Sequence, residues 1–304
     1  MLPWAVSTVA PSSRDRGGLQ RRSESLFWLA TALAAAGTGM VVLLIGAYVL
    51  HESLPLLLRE GLAAFLAAPG WWPLEGQYNL VPMFAASAAL TVGALVLALP
   101  LGVACALYVE FHAPGWLATL AQRLVEASAA VPTVIHGLWG ATVLVPLLQT
   151  VQPPGASLLA GVLVLALMVF PTITILSQAA LHEVPRAHMQ AAAALGLSEP
   201  RALWHVVLPA ARHGLFAAGV LAAARALGET MVVLMVCGNI VQLPAGLFEP
   251  VRALTANIAL ELPYALGDHR SALFLSGAAV LLLVAVMVGL GEWLRPRQQG
   301  RSAP

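Results

Sequence analysis

The chain contains no lysine; all fifteen of its basic residues are arginine. A Walker A loop, GxxxxGKS/T, needs that lysine on the nucleotide phosphates, so hydrolysis by such a loop is excluded from this chain. Charge of either sign is scarce: 10% of 304 residues, against about a quarter in soluble domains. With 60% hydrophobic residues and a mean hydropathy of +0.85, this scarcity excludes an ordinary soluble domain and specifies a polytopic membrane protein. Cysteine occurs twice, at Cys105 and Cys237, each inside an apolar run. Two are too few for a disulfide framework or a metal site, and they read as small core residues. The eight histidines show no HExxH-like spacing, so neither metal nor cofactor is expected. A net charge of +1 names no partner, and basicity carried by arginine alone reads as composition bias rather than nucleic-acid binding.

What is present is a series of apolar runs. Residues 1–25 hold four arginines (Arg14, Arg16, Arg21, Arg22) and read as a disordered tail. Phe27–Leu50 carries no charge and exceeds the 7–15 residues of a signal-peptide core, so it reads as a retained spanning helix. A connector over residues 51–80 follows. Its stretch Leu54–Ala68, interrupted by Arg59 and Glu60 and followed by Trp71 and Trp72, reads as a helix lying in the membrane interface. Further spans are expected at about 81–109 and 117–151, at 158–181, and at about 215–237 and 272–293. The third is longer than a bilayer requires, and Pro132 is the expected break. Gly238-Asn239 is expected to stop the fifth helix. The reading is all-α, with six transmembrane helices. It has a tail over 1–25, a first helix and connector over 26–80, a core over 81–294 and a second tail over 295–304.

Arginine placement orients these helices. With the amino terminus inside, the inner face holds Arg14, Arg16, Arg21, Arg22, Arg123, Arg186, Arg201, Arg212, Arg295, Arg297 and Arg301. The outer face holds only Arg59, Arg252 and Arg270, and Arg225 falls within the membrane. Both termini are therefore expected in the cytoplasm, as is the polar island 182–213, which interrupts two long apolar runs. In that island the alanine-rich stretch from Gln190 reads as a helix stopped at Gly196. Ser198 can cap a second helix with Glu199 and Pro200 in its first turn, running through Trp204 and Val207 to end before Pro209. Two short helices meeting at a glycine elbow form a knob suited to a socket on another protein.

The fifth run contains RALGET, which puts Arg225 and Glu229 one helical turn apart. An arginine at mid-bilayer costs roughly 2.5–3.5 kcal/mol on insertion scales, so it should face the bundle interior with a partner. Two readings stand side by side. In one, Arg225 and Glu229 neutralise each other as a structural pair, although Arg-before-Glu is the weaker order for such a pair. In the other, the planar guanidinium receives an oxyanion crossing the membrane and the carboxylate limits how tightly it is held. Gly137 and Gly140 read as sites of close helix packing. Glu249, Arg252, Glu261, Asp268 and Arg270 read either as contacts for a partner outside the membrane or as a solvated surface.

Two resemblances bear on these residues. Gln190, Ala191, Ala192, then Gly196, then Val206, Leu208 and Pro209 resemble the EAA loop of ABC-importer permeases, which docks on a cytoplasmic ATPase. The family usually has Glu where Gln190 stands. GLWGATVLVP (137–146), ARALGETMVVLMVCGN (224–239) and PVRALTANIALEL (250–262) resemble the PstC-type permease of bacterial phosphate ABC transporters, with His136 replacing a usual aromatic residue. The likeness extends from about Glu52 to Trp293. It implies a MetI-like fold, a cytoplasmic coupling-helix loop over 182–213, and an inner-membrane importer subunit that is not itself an enzyme. It also implies phosphate passage at Arg225 and Glu229, with ATPase coupling through Gln190, Ala191, Ala192, Gly196, Leu208 and Pro209. The implied partners are a second permease (PstA-type), an ATPase dimer (PstB-type) and a periplasmic phosphate-binding protein (PstS-type), with lipid around the helices. Other readings are a permease for sulfate or molybdate, or a transporter or channel acting alone.

Overall fold

A chain crossing a bilayer must satisfy its backbone hydrogen bonds internally, and a run of apolar residues does so as a helix. The computed structural model describes residues 13–293, with side chains from Phe27 onward, and is all-α apart from one two-residue hairpin. The expected tail over 295–304 and the first twelve residues lie outside that range. Among the described residues six helices are long and apolar enough to span: Phe27–Glu60, Val81–Phe111, Thr133–Val151, Leu158–His182, Glu199–Leu227 and Gly267–Trp293.

Two compact units meet in sequence at His51 and Glu52. The first is the leading part of helix α1 (Ser13–Glu60), which is already helical within the expected tail. Its apolar side chains, Phe27, Trp28 and Leu43 among them, are exposed all round, as suits a helix sheathed in lipid. The hydroxyls of Thr31 and Thr38 donate back to carbonyls three and four residues earlier, so neither is left unpaired in hydrocarbon.

The second unit begins at Glu52, within α1. Leu54–Ala68 is not one interfacial helix: α1 continues through Pro55 to Glu60, and only Leu62–Ala67 forms a separate helix, α2. The break lies at Gly61, whose φ of 71° is closed to most side chains. An antiparallel hairpin of β1 (Trp71–Trp72) and β2 (Gln77–Tyr78) leads into α3 (Val81–Phe111). Helix α4 (Gly115–Ala130) stops before Pro132, the expected break, and α5 (Thr133–Trp139) starts the third span. A widened π-helical turn over Gly140–Leu144 joins it to α6 (Val145–Val151). Ser157 caps α7 (Leu158–His182) by accepting from the Ala160 amide.

After α7 come α8 (Arg186–Ala194) and α9 (Glu199–Ala202), and here the expected second short helix is overturned. Instead of ending before Pro209, α9 passes through a π-helical turn, Leu203–Val207, straight into α10 (Leu208–Leu227). Both π turns precede a proline at the second position of the next helix, Pro146 and Pro209. A proline ring would strike the carbonyl four residues back, and widening the preceding turn moves that carbonyl away. The fifth apolar run is also not one helix to Cys237. It breaks after Leu227 and resumes as α11 (Met231–Val236), which Gly238 and Asn239, both at positive φ, then stop as expected. Helix α12 (Leu254–Glu261) was unforeseen, and α13 (Gly267–Trp293) ends the described chain.

Helix α7 is the centre of the bundle, buried on most faces between α3 and α10. Lipid is as apolar as leucine, so such helices are held by close van der Waals contact rather than by hydrophobic transfer. A Cβ on Gly102 would lie 2.6 Å from Ile173, and one on Gly161 2.5 Å from Leu90, so bare backbone sets the α3–α7 approach. A second core, including Leu56, Phe65, Trp71, Tyr78, Met83, Leu254 and Leu273, joins the hairpin to α12 and α13. Burial there pushes the Tyr78 hydroxyl above its ordinary pKa.

Candidate functional site

The break between α10 and α11 separates the two residues expected to share a face. Helix α10 ends with the Gly228 amide donating to Ala224 at 3.1 Å. Glu229 then leaves the helical path, and its Oε1 accepts from the amides of Thr230 (3.1 Å), Met231 (3.1 Å) and Val232 (3.4 Å). These are amides that the start of α11 would otherwise leave unpaired. The Glu229 carbonyl accepts from the Thr255 hydroxyl at 2.8 Å. Glu229 is thus committed, as acceptor, to building the break.

Arg225 stands in the last turn of α10, exposed on the isolated chain, and its side chain makes no hydrogen bond or ion pair among the described residues. The expected Arg225–Glu229 contact is not formed, because the carboxylate that would make it is turned to the α11 amides. Neither the neutralising pair nor a carboxylate resting on the guanidinium is present. What remains is a cation favourably placed at a helix carboxyl end, with its fork of donors uncommitted.

Packing next to this break leaves no room for side chains. A Cβ on Gly137 would lie 2.9 Å from Met235 Sδ and 3.3 Å from the Val232 Cα. One on Gly140 would lie 2.8 Å from both Val164 and Val236, so these glycines do bring α5 and the turn after it against α7 and α11. His136, only 8% exposed, sits one position before this contact with its Nδ1 unpartnered.

The polar island is built around Gly196. Its φ is 77°, its amide donates to Ala193, and the Leu197 amide donates to Ala192, which closes α8 in the reciprocal pattern that favours glycine. Ser198 stands at the cap position of α9 but makes no side-chain cap bond. Ala192 is buried, while Gln190, Ala191 and Pro209 are exposed and Leu208 is half-buried. Leu195 is 82% and Trp204 69% exposed, a pair of large apolar side chains presented outward. Leu203, Val207 and Ala211 anchor the island to Ala106 of α3 and Leu181 of α7. Gln190 also lines a cleft of about 560 Å³ with Glu110, His182 and Arg186, where His182 Nδ1 meets Glu110 at 3.1 Å.

At the opposite end of α7, the five charged candidates divide. Arg59 pairs with Asp268, Arg270 with Glu52 at 3.7 Å, and Glu249 accepts from the Ala245 amide. Arg252 and Glu261 instead turn inward, their side chains 19% and 21% exposed and 2.6 Å apart. That inward pair differs from the partner contact or solvated surface expected of these residues. The spacing of Asn257 and Glu261, one turn apart in a short amphipathic stretch, was the available signal. Among the described residues no three His, Cys, Asp or Glu side chains converge as metal ligands would.

Comparison with known proteins shows the family and the fold. A family described as "Binding-protein-dependent transport system inner membrane component" matches residues 98–300. A Bacillus subtilis protein named probable ABC transporter permease protein YqgH is 33% identical, the match covering 77% of this chain and 78% of that protein. Phosphate transport system permease protein PstC of Haemophilus influenzae is 32% identical over 91% of this chain and 94% of its own. PstC of Pasteurella multocida is 31% identical over 79% and 82%. Among solved structures, an inward-facing MetNI methionine ABC transporter matches with a TM-score of 0.58 at 18% identity, covering 73% of this chain and 95% of that one. A bacterial ABC transporter that imports alginate matches with a TM-score of 0.57 at 13% identity, over 91% and 99%.

Proposed function

The chain belongs to the family of binding-protein-dependent transport system inner membrane components, as a multi-pass permease subunit of an ABC transporter, and from that premise we propose that its cargo is inorganic phosphate. The observation that carries the proposal is Arg225. It is a guanidinium without an internal partner among the described residues, in the last turn of a helix apolar enough to span. A planar fork of donors matches two oxygens of a tetrahedral oxyanion at once, which a point charge does not. The relatives from Haemophilus influenzae and Pasteurella multocida that are named for phosphate transport support the choice of anion.

In this reading Glu229 serves phosphate passage indirectly, by fixing the break that presents Arg225. Orientation follows the arginine asymmetry, with both termini and the island 182–213 in the cytoplasm. Gln190, Ala191, Ala192, Gly196, Leu208 and Pro209 then belong to the surface that meets a PstB-type ATPase dimer. Exposed Leu195 and Trp204 supply its apolar contact. ATP is hydrolysed on that partner, a PstA-type permease completes the pore, and a PstS-type phosphate-binding protein delivers the anion from the periplasm. Residues 81–294 are the permease core, and 26–80 the added first helix and its connector.

A second reading, another oxyanion such as sulfate or molybdate, is favoured by one fact. A guanidinium alone does not distinguish tetrahedral dianions, and the Bacillus subtilis relative is named only as a permease. ATP-dependent uptake of labelled phosphate by the reconstituted complex, with sulfate as competitor, decides. Uptake that sulfate does not compete supports phosphate, and uptake abolished by equimolar sulfate overturns it.

A further inference from the structure

Glu261 collects donors from three separate parts of the chain. Trp71 Nε1 of the hairpin donates to Oε2 at 2.8 Å, and Arg252 Nη1 donates to Oε1 at 2.6 Å. His269 Nε2 of α13 lies 2.9 Å from Oε2, a donor in the tautomer protonated there. With both partners about one-fifth exposed, the Arg252–Glu261 pair is not a solvated surface contact of the kind that contributes little. Removing one member strands the other, which is why mostly buried pairs are sensitive to truncation.

The same segment holds α11 at both ends. Arg252 Nε donates to the Asn239 carbonyl at 2.8 Å, and its Nη1 also reaches Asn257 Oδ1 at 3.1 Å. The Val251 amide donates to Cys237 at 2.8 Å, and the Asn239 amide to Val251 at 3.2 Å. At the other end of α11, Thr255 in the first turn of α12 donates to the Glu229 carbonyl. So the short helix that starts at the Arg225 break is tied at its beginning and its end to residues 251–255, and Glu261 fastens that stretch to the hairpin and α13.

We infer that Glu261 is a positioning residue for transport. Through Arg252 and α12 it sets where α11 lies, and hence where the break presents Arg225. This rests on the reading of Arg225 as the anion's contact. Glu261 touches no cargo itself, and the brace joins the two outer connectors to the first turn of α13.

The test uses Glu261→Gln in the complete transporter with its ATPase and binding protein, and two readouts. Amide hydrogen exchange in residues 229–239 should quicken about tenfold, the scale set by losing one charge-assisted bond, while α7 is unchanged. Phosphate uptake per assembled complex should fall about tenfold, with the half-saturating concentration of loaded binding protein unchanged. Glu261→Asp, which keeps the charge, should recover part of both. Faster exchange confined to residues 252–269 would overturn the inference. So would fewer complexes working at the normal rate, or a raised half-saturating concentration with full maximal uptake, which would make Glu261 a docking residue. If Glu261→Gln does not assemble, Trp71→Phe removes a single donor and is judged by the same readouts, with changes of about threefold. An unaltered complex that takes up no phosphate would defeat the phosphate reading, while the exchange comparison would still decide the brace.

Discussion

A double-mutant cycle on Arg225 and Glu229 tests whether the two residues interact, because the structure assigns them separate tasks. Glu229 Oε1 accepts three amides at 3.1, 3.1 and 3.4 Å, and the Arg225 side chain bonds to nothing among the described residues. Hydrogen bonds to a charged acceptor contribute about 1.5–3 kcal/mol and neutral ones about 0.5–1.5. Glu229→Gln keeps an acceptor oxygen and should cost about 1 kcal/mol, whereas Glu229→Ala, which leaves the amides bare, should cost about 1–3 kcal/mol. Arg225→Gln removes no internal bond and should leave stability within about 0.5 kcal/mol, as surface changes do. The coupling between Arg225→Gln and Glu229→Gln is then expected within about 0.5 kcal/mol of zero, as for independent sites. A buried ion pair would behave otherwise, losing about 3–5 kcal/mol on removal of either member. SDS-driven unfolding of the solubilised subunit, followed by circular dichroism, measures all four corners. A favourable coupling of about 1.5 kcal/mol or more would show that the pair exists and that the cap is not the task of Glu229. For the same reason, exchanging the two residues (Arg225→Glu with Glu229→Arg) should not restore function, because arginine cannot accept from the α11 amides.

Gly196→Val forces a β-branched residue to a φ of 77°, a strain of about 1–2 kcal/mol in open space. The subunit should insert normally yet fail to copurify with its ATPase, and normal copurification with normal uptake would reduce the island to a connector. Gly140→Val should destabilise by about 1–3 kcal/mol through overpacking against Val164 and Val236, while Gly46→Ala, in a helix interior with no neighbour near, should not destabilise in the same unfolding assay. A cysteine at Ser198 should react with an impermeant maleimide only from the cytoplasmic side, and one at Gly246 only from outside. The reverse pattern would invert the topology.

The apolar runs made the spans legible because a bilayer leaves the backbone no other choice, and Pro132 and Gly238-Asn239 marked their ends by local chemistry alone. The break after Leu227 was not legible. RALGET contains two weak helix residues, Gly228 and Thr230, too little to break an apolar helix, and what opens the chain there is a tertiary bond from Thr255 and a carboxylate turned onto three amides. Pro209 misled in the opposite sense. It reads as a stop, but a widened turn before it lets the helix pass, and the island is continuous with α10. The end expected at Leu50 was also misplaced: α1 runs on through Pro55 and yields only at Gly61. Gly196 was legible because a positive φ at a helix end is a property of the residue itself. The Glu261 brace was not, since its donors come from positions 71, 252 and 269, which only the fold brings together.

The most direct test of the central claim is uptake of labelled phosphate by the reconstituted complex, with ATP present or withheld, for the unaltered chain and for Arg225→Gln. ATP-dependent uptake by the unaltered complex, lost in a variant that inserts and holds its partners in normal amounts, is the predicted result. Uptake that persists in Arg225→Gln, or that proceeds without ATP in the unaltered complex, would contradict the account.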